Sequence, residues 1–225
     1  MEGTMKKNEN NNEVIEKRLE STGGADTVAA ADWQRIRADF AVRAAGDDAV
    51  DLAFETHETP YGPMVVGATR QGLVRIALPA ESQDAVLENL SKRISPRILR
   101  VTLPEITAAR SQLDEYFEGG RRRFELPLDW QLTTGFRSQV LHATNEIPYG
   151  ETRSYRDVAV EAGSPKAVRA AGTALATNPL PIVVPCHRVL RSDGKVGSYL
   201  GGSEMKEQLL AMERAPEQAS RSHPA

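Results

Sequence analysis

The chain's one cysteine, Cys186, is followed directly by His187 within the sequence Pro185-Cys186-His187-Arg188-Val189. A cysteine becomes a nucleophile when a base or a positive environment generates its thiolate, and histidine is the side chain whose ordinary pKa suits that task near neutral pH. Adjacent side chains point in opposite directions in an extended segment, so His187 would need a bridging water or a turned backbone to reach the thiol. The alternative for an isolated cysteine in an apolar run is a buried structural thiol.

Length and composition narrow the classes of protein that this chain can be. Its 225 residues suffice for one or two domains with a buried core. A single cysteine excludes an intramolecular disulfide and a cysteine-rich zinc site. The four histidines are scattered, at positions 57, 142, 187 and 223, so we expect no metal site. The net charge of −3 argues against non-specific coating of nucleic acid, but it permits a local DNA-binding face.

The N-terminal quarter of the chain differs in composition from the rest. Residues 1–26 are polar and rich in Asn and Glu, which predicts a disordered tail. Apolar residues at helical spacing predict a helical extension over 27–49. No apolar run approaches the roughly 20 residues of a membrane span, and the N-terminus lacks the apolar core of a secretory signal. We therefore expect no membrane partner and a cytoplasmic protein.

Residues 50–130 carry the pattern of a small α/β domain with an RNase H-like arrangement. Alternating apolar residues, interrupted by a turn at 59–63 and by Gly72, predict three antiparallel strands within 50–79. The other predicted elements are helices at 81–94 and 104–118, a short strand at 97–101 and an apparent strand following 121–124.

Residues 131–215 are predicted to form a mostly helical domain, followed by a second disordered tail at 216–225. The predicted helices lie at 133–146, 152–162 and 165–176, with Pro165 at the first position of the third. The last two, joined by a Gly-containing turn, have the signature of a helix-turn-helix. Ile182–Val184 predicts a short buried strand that ends at Pro185.

The segments around Cys186 resemble the O6-alkylguanine-DNA alkyltransferases, also called methylated-DNA–protein-cysteine methyltransferases. Five further segments occur in that family's order and spacing: Tyr149-Gly150-Glu151-Thr152, Ser154-Tyr155, Ala167 to Gly172, Asn178-Pro179-Leu180-Pro181 and Tyr199-Leu200-Gly201-Gly202. The helix Lys206 to Glu213 also matches. The resemblance is strong over about 132–214, looser over 50–131, and does not extend to the first 45 residues.

The resemblance implies an α+β fold and a single-turnover reaction. The fold would join an N-terminal RNase H-like domain with a small antiparallel sheet to a C-terminal helical domain with a winged helix-turn-helix-like motif. Members of the family transfer an alkyl group from guanine O6, and from thymine O4, in double-stranded DNA to their own cysteine. They use no cofactor. A monomer is expected, with cooperativity on DNA left open.

The resemblance also implies roles for the residues around the thiol. Cys186 would accept the alkyl group, and His187 would deprotonate it through a water. Glu213 would orient the histidine and stabilise its cation, as the third group of a triad does. Asn178 would hold the turn together by hydrogen bonds.

Further roles concern DNA and the substrate base, which must leave the duplex to be reached. Arg169 would fill the vacated stack, Tyr155 would push the nucleotide round, and the small Ala167 and Ala170 would let the helix enter the minor groove. Tyr199 and Pro181 would form the walls of the alkyl pocket. Carbonyls of Cys186 and Val189 and the amide of Leu200 would recognise guanine.

Two features leave choices open. Many relatives have Ser or Gly in place of Leu200, whose branched side chain predicts poor reaction with large adducts such as benzyl. The triplet Arg121–Arg123 would either contact phosphates or form a solvated loop.

Residues 150–214 hold nine basic against seven acidic side chains, a weak positive charge that favours modest, salt-sensitive DNA binding.

Three other functions compete with repair. One is a protein of the same fold that flips damaged bases without repairing them; such relatives replace the cysteine, which Cys186 argues against. The second is a transcriptional regulator that uses the helix-turn-helix. The third is a cysteine hydrolase that uses Cys186, His187 and Glu213 and turns over.

Overall fold

The structure, a computed structural model, describes the backbone of residues 50–221 and the side chains of residues 50–214. The predicted tail at 1–26, the predicted helical extension at 27–49 and residues 222–225 lie outside the described residues.

A four-stranded sheet forms the centre of the first half. Strands β1 (Leu52–Thr59), β2 (Gly62–Thr69) and β3 (Gly72–Ala77) are antiparallel neighbours, which confirms the predicted meander. Strand β4 (Ile98–Arg100) pairs with β1 in parallel, giving the order β3-β2-β1-β4. The sheet is therefore mixed rather than purely antiparallel, because a helical connection returns the chain to the sheet edge in the direction of β1.

Two helices cover the sheet. Helix α1 (Gln83–Arg93) begins at its N-cap Ser82 and buries Val86 and Leu90 in one cluster with sheet residues. Helix α2 (Pro104–Phe117) starts with proline, as helices tolerate at their first position, and packs on all three long strands. Its buried residues recur at helical spacing and join the larger core, which continues into the second half: Ile106, Ala109, Leu113 and Tyr116.

The predicted strand after 121–124 is absent. The chain makes only an isolated bridge there, in which Leu73 N donates to Pro127 O and Asp129 N donates to Leu73 O, both at 2.8 Å. Pro127 has no N–H, so it cannot extend the ladder.

The second half is helical, as predicted: α3 (Gly135–Asn145), α4 (Tyr155–Glu161), α5 (Val168–Ala176) and α6 (Gly202–Arg221). Helix α4 starts with a capping box: Asp157 N donates to Ser154 Oγ at 3.1 Å and Ser154 N donates to Asp157 Oδ2 at 2.9 Å. Two short parallel strands, β5 (Arg153–Ser154) and β6 (Val189–Leu190), lie beside the helix-turn-helix. The fold class is thus α+β, as the resemblance implied.

Three local predictions in this half need correction. Helix α5 begins at Val168 rather than Pro165, because Ala167 N donates to Ser164 O and closes a turn first. Ile182–Val184 is a buried turn rather than a strand, since Val184 N donates to Leu180 O at 2.8 Å. Helix α6 continues to Arg221, past the predicted boundary at 215, and its backbone runs through Pro216.

Two kinds of feature are absent from the described residues. No helix there is long and apolar enough to cross a membrane. Nor does that part of the chain bring three potential metal-ligating side chains together.

Candidate active site

Cys186 begins a turn of 3-10 helix, Cys186–Arg188, directly after Pro185. Arg188 N donates to Pro185 O at 2.9 Å, and Cys186 N donates to Val184 O at 2.8 Å. The backbone is therefore turned, rather than extended, where Cys186 and His187 follow one another. The thiol lies in the core, with only 5% of the residue exposed.

Asn178 holds this turn from the preceding loop. Its Nδ2 donates to Val184 O at 2.8 Å and to Cys186 Sγ at 3.2 Å, and its Oδ1 accepts from Leu180 N at 3.0 Å. The side chain therefore fixes the backbone at both ends of the loop from Leu180 to Val184 and contacts the thiol itself. Ile182, inside that loop, has a φ of +75°, a conformation that β-branched residues rarely adopt and that the surrounding contacts must stabilise.

Opposing effects act on the pKa of the Cys186 thiol. Burial raises the pKa of Cys186, whereas the hydrogen bond from Asn178 and the positive charge of Lys206 lower it. Lys206 is itself fully buried, and its Nζ donates to Val189 O at 2.6 Å. A buried ammonium beside a buried thiol favours the thiolate over what burial alone would allow.

His187 is fully buried and pairs with Glu213 of α6, 2.9 Å from Nε2 to Oε1. Its other ring nitrogen, Nδ1, is buried and has no hydrogen-bond partner among the described residues. Burial lowers the pKa of His187, and Glu213 opposes that change. A neutral imidazole that donates from Nε2 leaves Nδ1 as an acceptor.

Glu213 is the centre of a buried hydrogen-bond network. Arg188 binds it through both oxygens, with Nε to Oε2 and Nη2 to Oε1 each at 2.9 Å. Tyr116 Oη donates to Oε1 at 2.6 Å, and Gly150 N donates to Oε2 at 3.2 Å. Burial alone would raise the pKa of Glu213, but the hydrogen bonds from His187 and Arg188 outweigh it and hold that pKa well below its ordinary value. An ionised carboxylate can only accept, so His187 must donate to it.

Three of these residues were not assigned roles from the sequence. Lys206 lies on the buried face of α6 together with Leu209 and Glu213. A lysine at the helical spacing of buried residues is the feature of the sequence that could have identified it. Arg188 lies inside the quoted motif, but its partner is distant in sequence. Tyr116 comes from α2, in the other half of the chain, and its position in an apolar stripe marks it only as core.

The residues expected to contact DNA lie at the helix-turn-helix. Arg169 and Ala170 are exposed on α5 and Ala167 is half-buried just before it. A surface cavity of about 510 Å³ is lined by Arg169, Tyr155 and Arg191. Tyr155 is half-buried, and burial together with the charge of Cys186 raises its pKa.

Two of the expected pocket residues lie beside the group of buried side chains just described, which we call the relay: Tyr116, Asn178, Cys186, His187, Arg188 and Glu213. The ring of Tyr199 meets His187 edge-on, 6.4 Å between centroids, and its buried hydroxyl has no hydrogen-bond partner in the described part of the chain. Val189 follows the thiol turn, with its carbonyl bonded to Lys206. Pro181 is buried in the loop that Asn178 fixes, whereas Leu200 is half-buried and lines a separate cavity beside Asn178.

Both halves of the chain match the same protein family. Residues 52–130 match the ribonuclease-like domain of 6-O-methylguanine DNA methyltransferase, and residues 135–215 match its DNA binding domain.

Individual relatives agree with this assignment. The constitutive methylated-DNA–protein-cysteine methyltransferase of Bacillus subtilis is 40% identical over 162 residues, covering 72% of this chain and 94% of the relative. The methylated-DNA–protein-cysteine methyltransferase of Mycobacterium leprae is 46% identical over 160 residues, covering 70% and 89%. The crystal structure of Mycobacterium tuberculosis O6-methylguanine methyltransferase superposes with a TM-score of 0.62 at 32% identity, covering 73% and 93%. On these matches and on the site just described, the chain belongs to the methylated-DNA–protein-cysteine methyltransferase family.

Proposed function

We propose that this protein repairs DNA by moving an alkyl group from guanine O6 to Cys186, once per molecule. The observation that carries the proposal is the buried relay around the chain's single thiol. In it, Glu213 fixes Nε2 of His187, Nδ1 remains available, and Asn178 contacts the sulfur. Membership of the family supports the same reaction.

The chemistry balances without a cofactor. Nδ1 of His187 takes the thiol proton through a water, and the thiolate attacks the alkyl carbon. The sulfur–carbon bond forms as the carbon–O6 bond breaks, and the proton returns to the released guanine. Buried Glu213 stabilises the imidazolium formed in between. The product is a thioether, which no described residue is placed to cleave, so the protein is consumed.

Access to the base requires that the nucleotide leave the duplex. Helix α5 would enter the minor groove with Ala167 and Ala170 against the DNA, and Arg169 would fill the vacated stack. Tyr155 would guide the flipped nucleotide. The cavity between Tyr155 and Arg169 supports this arrangement, because it lies on the exposed side of the same helix.

In the pocket, Tyr199 and Pro181 would face the alkyl group. Guanine would be recognised by the carbonyls of Cys186 and Val189 and by the amide of Leu200. The bond from Lys206 to the Val189 carbonyl is compatible with this, since a carbonyl oxygen accepts two hydrogen bonds.

We also propose that the protein accepts alkyl groups from thymine O4, acts as a monomer and works in the cytoplasm. Every contact of the relay comes from one chain, which supports action as a monomer on double-stranded DNA. A thiol that must stay reduced suits a reducing compartment. We further propose domains at 50–130 and 131–215, with Tyr116 of the first completing the relay of the second.

Titration of a DNA duplex that contains O6-methylguanine tests the reaction. Lesions repaired should rise with protein and stop at one per molecule, with none repaired by Cys186→Ser. Continued turnover would indicate a cysteine hydrolase instead. Binding without repair by the wild type would indicate a regulator or a base-flipping protein.

Replacing Tyr116 by phenylalanine should shift the pH dependence of transfer. The ring contacts of Tyr116 with Phe117 and Phe124 remain, but Glu213 loses a donor and becomes more basic. A more basic carboxylate stabilises the imidazolium, so the acid limb of the rate profile should move to higher pH, by up to about one unit. Single-turnover rates should fall on the acid limb of the profile and change little near pH 8.

Phe124→Leu is the control for a purely structural effect, because it disturbs the same ring cluster and leaves the hydroxyl in place. It should lower stability without moving the pH profile. Identical profiles for Tyr116→Phe and the wild type would remove the positioning role of Tyr116.

Adduct size gives a separate prediction at Leu200. Benzyl transfer should be slower than methyl transfer in the wild type, and Leu200→Ser should narrow that gap, because it removes the branched side chain and keeps the amide. Rate constants on methyl- and benzylguanine duplexes measure both effects. Equal wild-type rates would contradict the prediction.

A further inference from the structure

A second cavity, of about 500 Å³, lies beside the active-site loop, and Asn178 and Leu200 form part of its lining. Helix α1, the first turn of α3 and the loop from Ala176 to Pro179 form its walls. Its charged lining consists of three arginines, Arg75, Arg93 and Arg137, and one carboxylate, Glu81. The cavity therefore carries an excess of positive charge.

Only one of the three arginines has a carboxylate partner. Arg75 forms an ion pair with Glu81 and donates to Pro179 O at 3.2 Å. Arg93 Nη2 donates to Leu132 O at 2.7 Å, and Arg137 Nη2 donates to Thr177 O. Among the described residues, no acidic side chain pairs with Arg93 or Arg137, so backbone carbonyls are their only hydrogen-bond acceptors there.

Arg137 has an unsatisfied donor. Its Nε is buried and lacks a hydrogen-bond partner in the part of the chain that the structure describes. Burial, together with the positive charges of Arg93 and Arg75, lowers the pKa of Arg137, and all three arginines line the same cavity. A buried N–H without an acceptor costs free energy, and an anion in the cavity would supply the acceptor and offset these positive charges.

The chemistry of the lining indicates a phosphate group. A guanidinium presents five donors in a planar fork that matches phosphate oxygens two at a time. Two such groups without carboxylate partners face one cavity.

The position of the cavity indicates where that phosphate comes from. Ala176 and Thr177, at the end of α5, line the cavity, whereas Arg169 lies near the start of the same helix. Arg169 and Thr177 are eight positions apart, which corresponds to about 12 Å along a helix. A helix lying in a groove about 6 Å wide meets the flanking sugar–phosphate backbone within that length.

We propose that Arg93 and Arg137 form a phosphate site that takes one backbone phosphodiester of the bound duplex, at the far end of α5 from Arg169. The inference rests on the proposed function. It adds a DNA contact from α1, in the half of the chain that carries the sheet. Because Thr177 adjoins Asn178, the contact lies next to the loop that holds the thiol.

The test is the salt dependence of binding to an unmodified duplex, measured with the full chain. Log K falls as log salt concentration rises, and each phosphate neutralised makes that slope steeper by about 0.9. Arg93→Gln/Arg137→Gln should make the slope shallower by about that amount and weaken binding on the order of tenfold near 0.1 M salt. Arg137→Lys, which keeps the charge and loses the fork, should keep the slope.

The matched control is Arg100→Gln/Arg110→Gln. It removes the same charge, but at arginines that contact Glu55 and His57, away from the cavity. Its slope should equal that of the wild type. Thermal unfolding of every variant, with and without inorganic phosphate, checks folding and detects a free anion.

The outcomes separate this inference from the proposed function. If the wild type transfers methyl and the cavity variant keeps the wild-type slope, the phosphodiester assignment is wrong. Protection by inorganic phosphate that depends on Arg137, with an unchanged slope, would identify a free anion as the occupant and also overturn it. Failure of the wild type to transfer methyl would instead contradict the proposed function.

Discussion

Arg188→Met should lower the free energy of unfolding by about 3 to 5 kcal/mol, the cost of leaving one partner of a buried ion pair uncompensated. Glu213 is only 2% exposed, and Arg188 supplies two of its hydrogen bonds while donating a third to Ile147 O at 2.6 Å. Methionine replaces the aliphatic part of the arginine side chain and cannot form any of these hydrogen bonds. Urea unfolding near pH 7 measures the difference.

The sign of the pH dependence follows from the lowered pKa of Glu213. A carboxyl with a depressed pKa stabilises the fold above its ordinary pKa, 4.5, and that contribution is lost as the pH falls below it. The difference between the wild type and Arg188→Met should therefore shrink below about pH 4.5.

Arg153→Met is the control, because Arg153 is a partly exposed residue that pairs with Glu151 at 2.9 Å. Such pairs contribute about 0 to 1 kcal/mol. Adding Glu213→Gln to Arg188→Met should restore part of the lost stability, since no buried charge is then left alone and the amide oxygen can still accept from Tyr116 or His187. Equal losses for Arg188→Met and Arg153→Met would mean that the buried network does not stabilise the fold.

His187→Gln should slow alkyl transfer by about 10²- to 10⁴-fold, the usual contribution of a general base. Binding of DNA should be unchanged, because His187 is fully buried and cannot contact a duplex. Single-turnover rates with excess protein, measured beside equilibrium binding, separate the two effects.

His142→Gln provides the matched control. His142 is exposed and stacks on Trp130, 4.0 Å between ring centroids, so the same substitution there should leave transfer intact. If His187→Gln reacted within about threefold of the wild type, the thiol would not depend on this base.

The sequence indicated the thiol and its neighbour, but not the whole network that serves them. Cys186, His187 and Asn178 lie close together in the chain, so their local motif carries their proximity. Tyr116 lies 71 residues before His187, and its partner depends on how α2 packs. Helical spacing marks Tyr116 as a core residue and gives no information about its hydroxyl. Arg188 was visible in the motif, but its bidentate contact with Glu213 depends on the docking of α6.

The incorrect local predictions have one physical origin. Pro165, Pro127 and the apolar run Ile182–Val184 were interpreted from local preference, whereas hydrogen bonds to residues outside each segment decided the outcome. The sheet and the helices on it were predictable because each repeats an apolar period over many residues. The arginine cavity had no signal in the sequence, since Arg75, Arg93 and Arg137 come from three separate elements.

The mass of the tryptic peptide that carries Cys186, after reaction with a duplex containing O6-methylguanine, tests the central claim most directly. Repair by transfer predicts one added methyl group on that peptide, in an amount equal to the lesions lost, with the thiol of every other molecule unchanged. Loss of the lesion with an unmodified Cys186 peptide, from protein shown to be folded, would contradict it.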